Sequence, residues 1–397
     1  MEKKRDLEQH IAVFGGSGSG KTVLLSSFYG GTQDPGFIKD HDVNVVAEDT
    51  GQGHGLLQNY YRMRSSAEVP GGNRFKATSY AFSVKLKKGL GGAPKEKAPF
   101  NALRLVWHDY PGEWFEQEPS STAEAGRRVE TFRSLLTSDI ALLLVDGQKL
   151  LDNAGEEERY LQALFATFST GLLNLRDELL ENGKPLVRFP RIWVMALSKA
   201  DLLPQMTAHD FSTLLIEKAG GHMAELRRAI ALMVEGDAAL SVGEDFLVLS
   251  SAKFTPGKID VSDRIGVDLL LPLAAALPFE RHVRWSERKQ IPGKVAQQIL
   301  VNSKSIFSAL TVLGPVASLV SKGSSKLPGP IGKALAVGSG LLASGSLAKV
   351  ADLAGEKLEQ ANAEAKAKNH RMTAVPTGFL RAVEKGEDEQ VLQRSSR

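Results

Sequence analysis

Gly15, Gly16, Ser17, Gly18, Ser19, Gly20, Lys21 and Thr22, followed by Val23, carry the densest chemistry in the chain. They satisfy G-x-x-x-x-G-K-[ST], a loop built to hold phosphate. Its glycines let the backbone turn tightly and aim N–H groups at phosphate oxygens. Lys21 would neutralise the outer phosphates, and the Thr22 hydroxyl would ligate Mg²⁺. A helix starting near Lys21 adds the positive end of its dipole. The plain alternative is a Gly/Ser linker. A linker would not follow the apolar run IAVF directly and lead into VLLSSF.

A second cluster lies at 108–114, HDYPGEW. Asp109 and Gly112 form D-x-x-G at the end of an apolar run. Asp109 would hold Mg²⁺ through water, and the Gly112 N–H would meet a terminal phosphate. Such a contact exists only before hydrolysis, so the loop can report nucleotide state. By itself the pattern is also that of an ordinary turn. Two further apolar runs end in Ser198-Lys199-Ala200-Asp201 and Ser250-Ser251-Ala252-Lys253.

These clusters need strands to deliver them. Apolar runs at 11–14, 140–145, 191–197 and 245–249 predict buried parallel strands. Residues 75–86 and 103–107 predict an antiparallel hairpin across the loop KKGLGGAPKEKAP. Helices are expected at 23–29, around Leu56, Leu57, Tyr60, Tyr61 and Met63, and at 122–137, 156–181, 211–218 and 223–234. The alternation predicts an α/β fold whose strand ends face one ligand crevice.

Composition narrows the classes. The chain has 397 residues, 42% apolar, enough for a substantial core. It has no cysteine, which excludes disulfides, Cys-ligated zinc and thiol catalysis and fits a reducing compartment. A net charge of +3 is too small to argue for nucleic acid, and none is expected as a partner. The first ten residues, MEKKRDLEQH, lack the apolar core of a signal peptide. The expected location is cytoplasmic, with a peripheral position at the inner face of a membrane left open.

Taken together, the ordered motifs resemble the G domain of P-loop GTPases, in the class that includes Ras-like proteins and translation factors. The likeness covers about the first seventy per cent of the chain as a set of motifs. It implies a P-loop NTPase three-layer sandwich: a mostly parallel sheet with one antiparallel strand, plus an α-helical C-terminal region. The expected division is a nucleotide domain over 1–284 and a C-terminal region over 285–397. In that family Asp201 would accept from the guanine ring N–H and exocyclic amine, a donor pair adenine lacks. Lys199 would lie over the base and brace the phosphate loop. Ser251-Ala252-Lys253 would present a backbone N–H to the guanine oxygen. Ser198 stands where the family usually has Asn or Thr, and a serine reaches less far. DYPGEW is similar to the switch sequence of the bacterial YcjX-like branch.

The chemistry implied is Mg²⁺-assisted hydrolysis of GTP to GDP and phosphate, by in-line attack of water. Glu113 follows D-x-x-G where relatives place a water-orienting Gln or His. It either orients water or is a solvated switch residue. The family completes Mg²⁺ coordination with a threonine before the hairpin strand. Thr78 stands at that point in the order, with Thr50 and Thr32 as alternatives and a plain strand threonine as the bland reading. Arg127, Arg128 and Arg133 read as helix-surface charges, so no arginine finger is named and slow intrinsic turnover is expected.

Beyond about residue 284 the composition changes. Apolar stretches at 299–320 and 334–350 flank SKGSSKLPGPIGK, and between 286 and 350 eight Lys or Arg face a single acid, Glu287. This suggests a helical hairpin that packs on the G domain, on a protein partner or second copy, or on an anionic membrane surface. Its uncharged runs fall short of an ordinary membrane span. From Glu384 the end reads as a charged, frayed tail. A membrane-active effector triggered by nucleotide and a non-hydrolysing scaffold are the alternative functions.

Overall fold

The computed structural model describes residues 7–40, 43–71, 77–86, 102–115, 119–180, 183–187, 189–287, 379 and 381–395. The hairpin expected at 299–350 lies outside the described residues.

The sheet begins with β1 (Leu7–Phe14). Ile11 and Val13 enter one core while Ala12 and Phe14 enter the other, all at most 1% exposed. A strand buried on both faces needs this unbroken apolar run. The other central strands are β4 (Ala102–Asp109), β5 (Ile140–Asp146), β6 (Ile192–Ser198) and β7 (Ser241–Val248). They pair in parallel in the order β7-β6-β5-β1-β4. Their carboxyl ends therefore share one edge. β3 (Thr78–Leu86) runs antiparallel to β4, and β2 (Val43–Ala47) antiparallel to β3. β3 is the antiparallel strand expected from the sequence.

Helices cover both faces. α1 (Lys21–Thr32), α3 (Thr50–Ser66) and α9 (Leu270–Glu287) pack on one face. α4 (Thr122–Leu135), α6 (Glu157–Asn174) and α8 (Ala208–Ala231) pack on the other. The fold is thus the three-layer α/β sandwich of P-loop NTPases. Short helices α2 (Pro35–Asp40), α5 (Gly147–Asp152) and α7 (Arg176–Leu179) complete it.

Several elements differ from expectation for local reasons. β2 lies in a polar stretch, yet Val43, Val45 and Ala47 point inward and Asn44 and Val46 outward, the period of a half-buried strand. α3 is capped by Asp49, whose side chain accepts from Gln52 N at 2.9 Å. The two helices expected at 211–218 and 223–234 are the two arms of α8, which meet at the non-helical Ala219 (φ −143°) just before Gly220 and Gly221. The long helix expected at 156–181 breaks at Leu175 into α6 and α7. An unforeseen hairpin, β8 (Lys253–Thr255) and β9 (Lys258–Asp260), follows β7.

The chain's end is the largest surprise. Residues 381–388 are helical, and β10 (Leu392–Gln393) adds an antiparallel strand beside β7. Phe379, Val383 and Leu392 enter the core. The tail read as frayed is part of the sheet.

Candidate functional site

Gly18 (φ 76°) and Gly20 (φ 90°) adopt left-handed backbone between β1 and α1, which a side chain would strain. Lys21 is buried and its Nζ donates to the carbonyls of Gly15 (2.7 Å) and Gly16 (3.0 Å), curling the loop around its own charge. The Ser19 hydroxyl donates to Gly16 O at 2.9 Å. A Cβ on Gly15 would lie 2.6 Å from Ser19 Oγ.

Asp109 ends β4 at 3% exposure, beneath the start of α1. Its Oδ2 accepts from the Thr22 hydroxyl at 3.2 Å, while its Oδ1 is buried without a hydrogen-bond partner among the described residues. Burial pushes the Asp109 carboxyl above its usual range, and the Lys21 charge and Thr22 hydroxyl pull it back. An orphaned carboxylate oxygen beside a hydroxyl suits a hard cation. Among the described residues no three His, Cys, Asp or Glu cluster to hold a metal. A cation here would draw its remaining ligands from phosphate and water. Thr78 pairs with Asp109 across β3–β4. Thr32 closes α1, its hydroxyl spent on Tyr29 O at 2.7 Å, and Thr50 opens α3.

After Asp109 the chain folds back on the phosphate loop. Tyr110, 1% exposed, accepts from Gly15 N at 3.0 Å, and its ring centroid is 5.2 Å from Lys21 Nζ. Gly112 sits so close that a Cβ would fall 2.5 Å from Gly16 C and Ser17 N. Arg128, expected on a helix surface, is instead buried, donating to Trp114 O at 3.1 Å and pairing with Glu124 at 2.6 Å. It braces the 3-10 turn Gly112–Phe115 from behind. The side chain of Glu113 lies outside the described residues.

On the other side of the loop, β6 ends in Ser198, whose hydroxyl donates to Val145 O at 3.3 Å. Lys199 takes left-handed backbone (φ 56°) and its ammonium meets Asp146, at the tip of β5, at 2.8 Å. Asp201 Oδ1 accepts from the Ser250 hydroxyl at 2.8 Å, and its Oδ2 from Phe254 N at 3.2 Å. A carboxylate offers about four lone-pair sites. Two thus stay open for further donors. Ser251 O accepts from the Ser27 hydroxyl at 2.5 Å, Ala252 is buried, and Lys253 points outward toward Asp263 at 3.5 Å.

These tips enclose one cavity of about 570 Å³. Ser17, Gly18, Ser19, Gly20, Lys21, Thr22, Val23 and Gly112 line one end. Ser198, Lys199, Asp201 and Ser251 line the other. Gly15, Gly16, Thr78, Asp109, Ala252 and Lys253 stand behind or beside the wall, Asp109 reaching it through Thr22. Among the lining residues that sequence reasoning missed are Val69, Tyr110, Gln148, Ser250 and Phe254. It also missed Asp146. A buried aspartate closing the all-apolar β5 was the signal for Asp146. Val69 and Phe254 carry no pattern and are found only through the fold.

The glycine loop at β1, the carboxylate at β4 and the loops at β6 and β7, gathered at one sheet edge, define a P-loop NTPase fold with a cavity at the carboxyl ends of its strands. No protein-family model matches the chain, and no curated protein matches it. Among solved structures it matches Methanosarcina barkeri Roco2 RocCORdC bound to GDP, at 13% identity and a TM-score of 0.25. The match covers 70% of this chain and 50% of that one, so the chain spans about half of that chain's length.

Proposed function

We propose that this protein is a Mg²⁺-dependent GTP-binding switch that hydrolyses GTP to GDP and phosphate. One observation carries the proposal: Lys21, Gly112 and Asp201 line a single cavity, with Asp109 behind Thr22 at its phosphate end. Lys21 and the N–H groups of residues 15–23 would hold the triphosphate and take up charge that develops on it. Thr22 and Asp109 would hold Mg²⁺, with Thr78 beside them. The ion would supply charge neutralisation at the outer phosphates. Asp201 would read the guanine edge, with Ser198, Lys199 and 251–253 around the base. Glu113 would orient water or stay solvated. The D-Y-P-G-E-W run supports kinship with the YcjX-like branch.

The nucleotide domain, expected over 1–284 and completed by the helix and strand at 381–393, would drive the intervening C-terminal region, which would contact a protein partner, a second copy or an anionic membrane surface. Among the described residues no helix is long and apolar enough to cross a membrane. A cytoplasmic protein, peripheral at most, fits this proposal.

Phosphate release from GTP with Mg²⁺ tests the enzyme assignment. Release should stop with chelator and with Lys21→Ala. Release indifferent to both would leave only a scaffold. Gly112→Ala should keep GDP affinity within about threefold and slow turnover by about tenfold or more, because the new methyl pushes the switch loop off Gly16. Equal turnover would show that this contact is idle.

A pH dependence follows from Asp109. The cation needs the ionised carboxylate, whose proton is held more tightly than usual. Mg²⁺ stimulation of nucleotide binding should therefore fade on acidification at a pH above the ordinary carboxylate range. Without cation the sign is opposite: a raised carboxyl favours the fold at acid pH, and that contribution is lost as pH rises through the folded value. Mg²⁺ titrations at stepped pH, beside Asp109→Asn, measure the first effect. A flat profile would contradict it.

A further inference from the structure

Resting on the guanine assignment above, we propose that the C-terminal strap at Gln390 and Val391 is a positioning element for base recognition. Two residues there bond both the loop that carries Asp201 and the β7 tip that carries its hydroxyl donor. Gln390 O accepts from Ala208 N at 2.7 Å, pinning the foot of the loop that carries Asp201 between β6 and α8. Val391 O accepts from Val248 N at 2.9 Å, two residues before Ser250, the hydroxyl donor to Asp201. Ser250 and Ile265 exchange backbone hydrogen bonds at 2.9 Å each. The next residue, Gly266 (φ 69°), approaches so closely that a Cβ would lie 2.2 Å from Val248 O and 3.1 Å from Val391 Cγ1.

The strap is held firmly enough for this role. Gln390 takes left-handed backbone (φ 60°) at the end of helix 381–388, and Val391 N closes that helix on Gly386 O at 2.9 Å. A glutamine in that conformation persists only where its surroundings impose it. Beyond it, Leu392 and Gln393 pair with β7, and Ser212 donates to Gln393 Oε1 at 3.0 Å. Arg394 pairs with Glu280 (2.7 Å) and Glu387 (2.6 Å). Ser395 N donates to Asp245 Oδ1 at 3.0 Å, the oxygen that the buried Arg281 also takes. The strap therefore fixes the height of the β7 tip relative to the Asp201 loop. A shift of that tip withdraws Ser250 and lets the carboxylate turn away from the base. The phosphate end, built on β1 and β4, is left in place.

The test uses the full chain and three ligands: GDP, ADP and inorganic triphosphate. Val391→Asp should lower the GDP-over-ADP affinity ratio by about tenfold, and Val391→Ala by about threefold, with triphosphate affinity held within about twofold. Val391→Ile should restore the ratio. In an Asp201→Ala background Val391→Ala should change the ratio no further. An unchanged ratio in Val391→Asp that still melts cooperatively overturns the proposal. So does an equal loss of triphosphate affinity, which marks general loosening. Should Val391→Asp not fold, an unchanged ratio in Val391→Ala is decisive against it. A wild-type protein without guanine preference overturns the base assignment and this proposal together, whereas a selective wild type with selective variants overturns this one alone.

Discussion

Lys21→Ala is expected to lose GTP and GDP binding, with affinity falling by about 10²–10³-fold. The ammonium is held by the carbonyls of Gly15 and Gly16, on the inner wall of the glycine-rich loop. A bound phosphate would find it already aimed, next to the N–H groups of the same loop. Truncation removes charge-assisted bonds worth roughly 1.5–3 kcal/mol each and any neutralisation of the outer phosphates. Stability should change much less, because the alanine also removes a buried charge whose partners are loop carbonyls. Calorimetric titration beside a thermal melt separates the two effects. Unchanged GDP affinity in a folded Lys21→Ala protein would place the phosphates elsewhere.

Asp201→Ala is expected to abolish the proposed preference for guanine. The carboxylate is presented by the Ser250 hydroxyl and Phe254 N–H, with acceptor sites left for two donors on a base. Guanine offers that pair and adenine does not, so the loss should fall on GDP by about 10²-fold or more and leave ADP near its starting affinity. Asp201→Asn is the sharper variant. An amide donates where the carboxylate accepted, so xanthine nucleotides, with an oxygen in place of the amine, should gain what guanine loses. Undiminished guanine binding by both variants would remove Asp201 from the base site.

The glycine-rich loop was legible because its motif demands contiguous residues. Gly15 to Thr22 follow a buried strand, and that order alone sets strand, turn and helix. The strands β5 and β6 were equally plain, since an unbroken apolar run suits only a strand covered on both faces. Legibility ended where a contact spans distant segments. Tyr110 reaches Gly15 across 95 residues, and nothing around Tyr110 signals the bond. The choice between Ser250 and Ser251 depends on which way β7 exits the sheet, a matter of register rather than residue type. β10 was hidden for a different reason. Two residues in a charged tail carry no hydrophobic period, and their pairing comes from β7 and from Arg394 bonding α9. Arg128 looked like surface charge because a helix face does not reveal that the 3-10 turn Gly112–Phe115 lies over it.

The central claim is that one crevice grips phosphate and base together. Competition for fluorescent GDP by GTP, ATP and inorganic triphosphate, with Mg²⁺ present, tests it most directly. GTP should compete about a hundredfold better than ATP, and inorganic triphosphate should compete detectably on its own. Equal competition by GTP and ATP, or triphosphate that leaves bound GDP undisturbed, would contradict the claim.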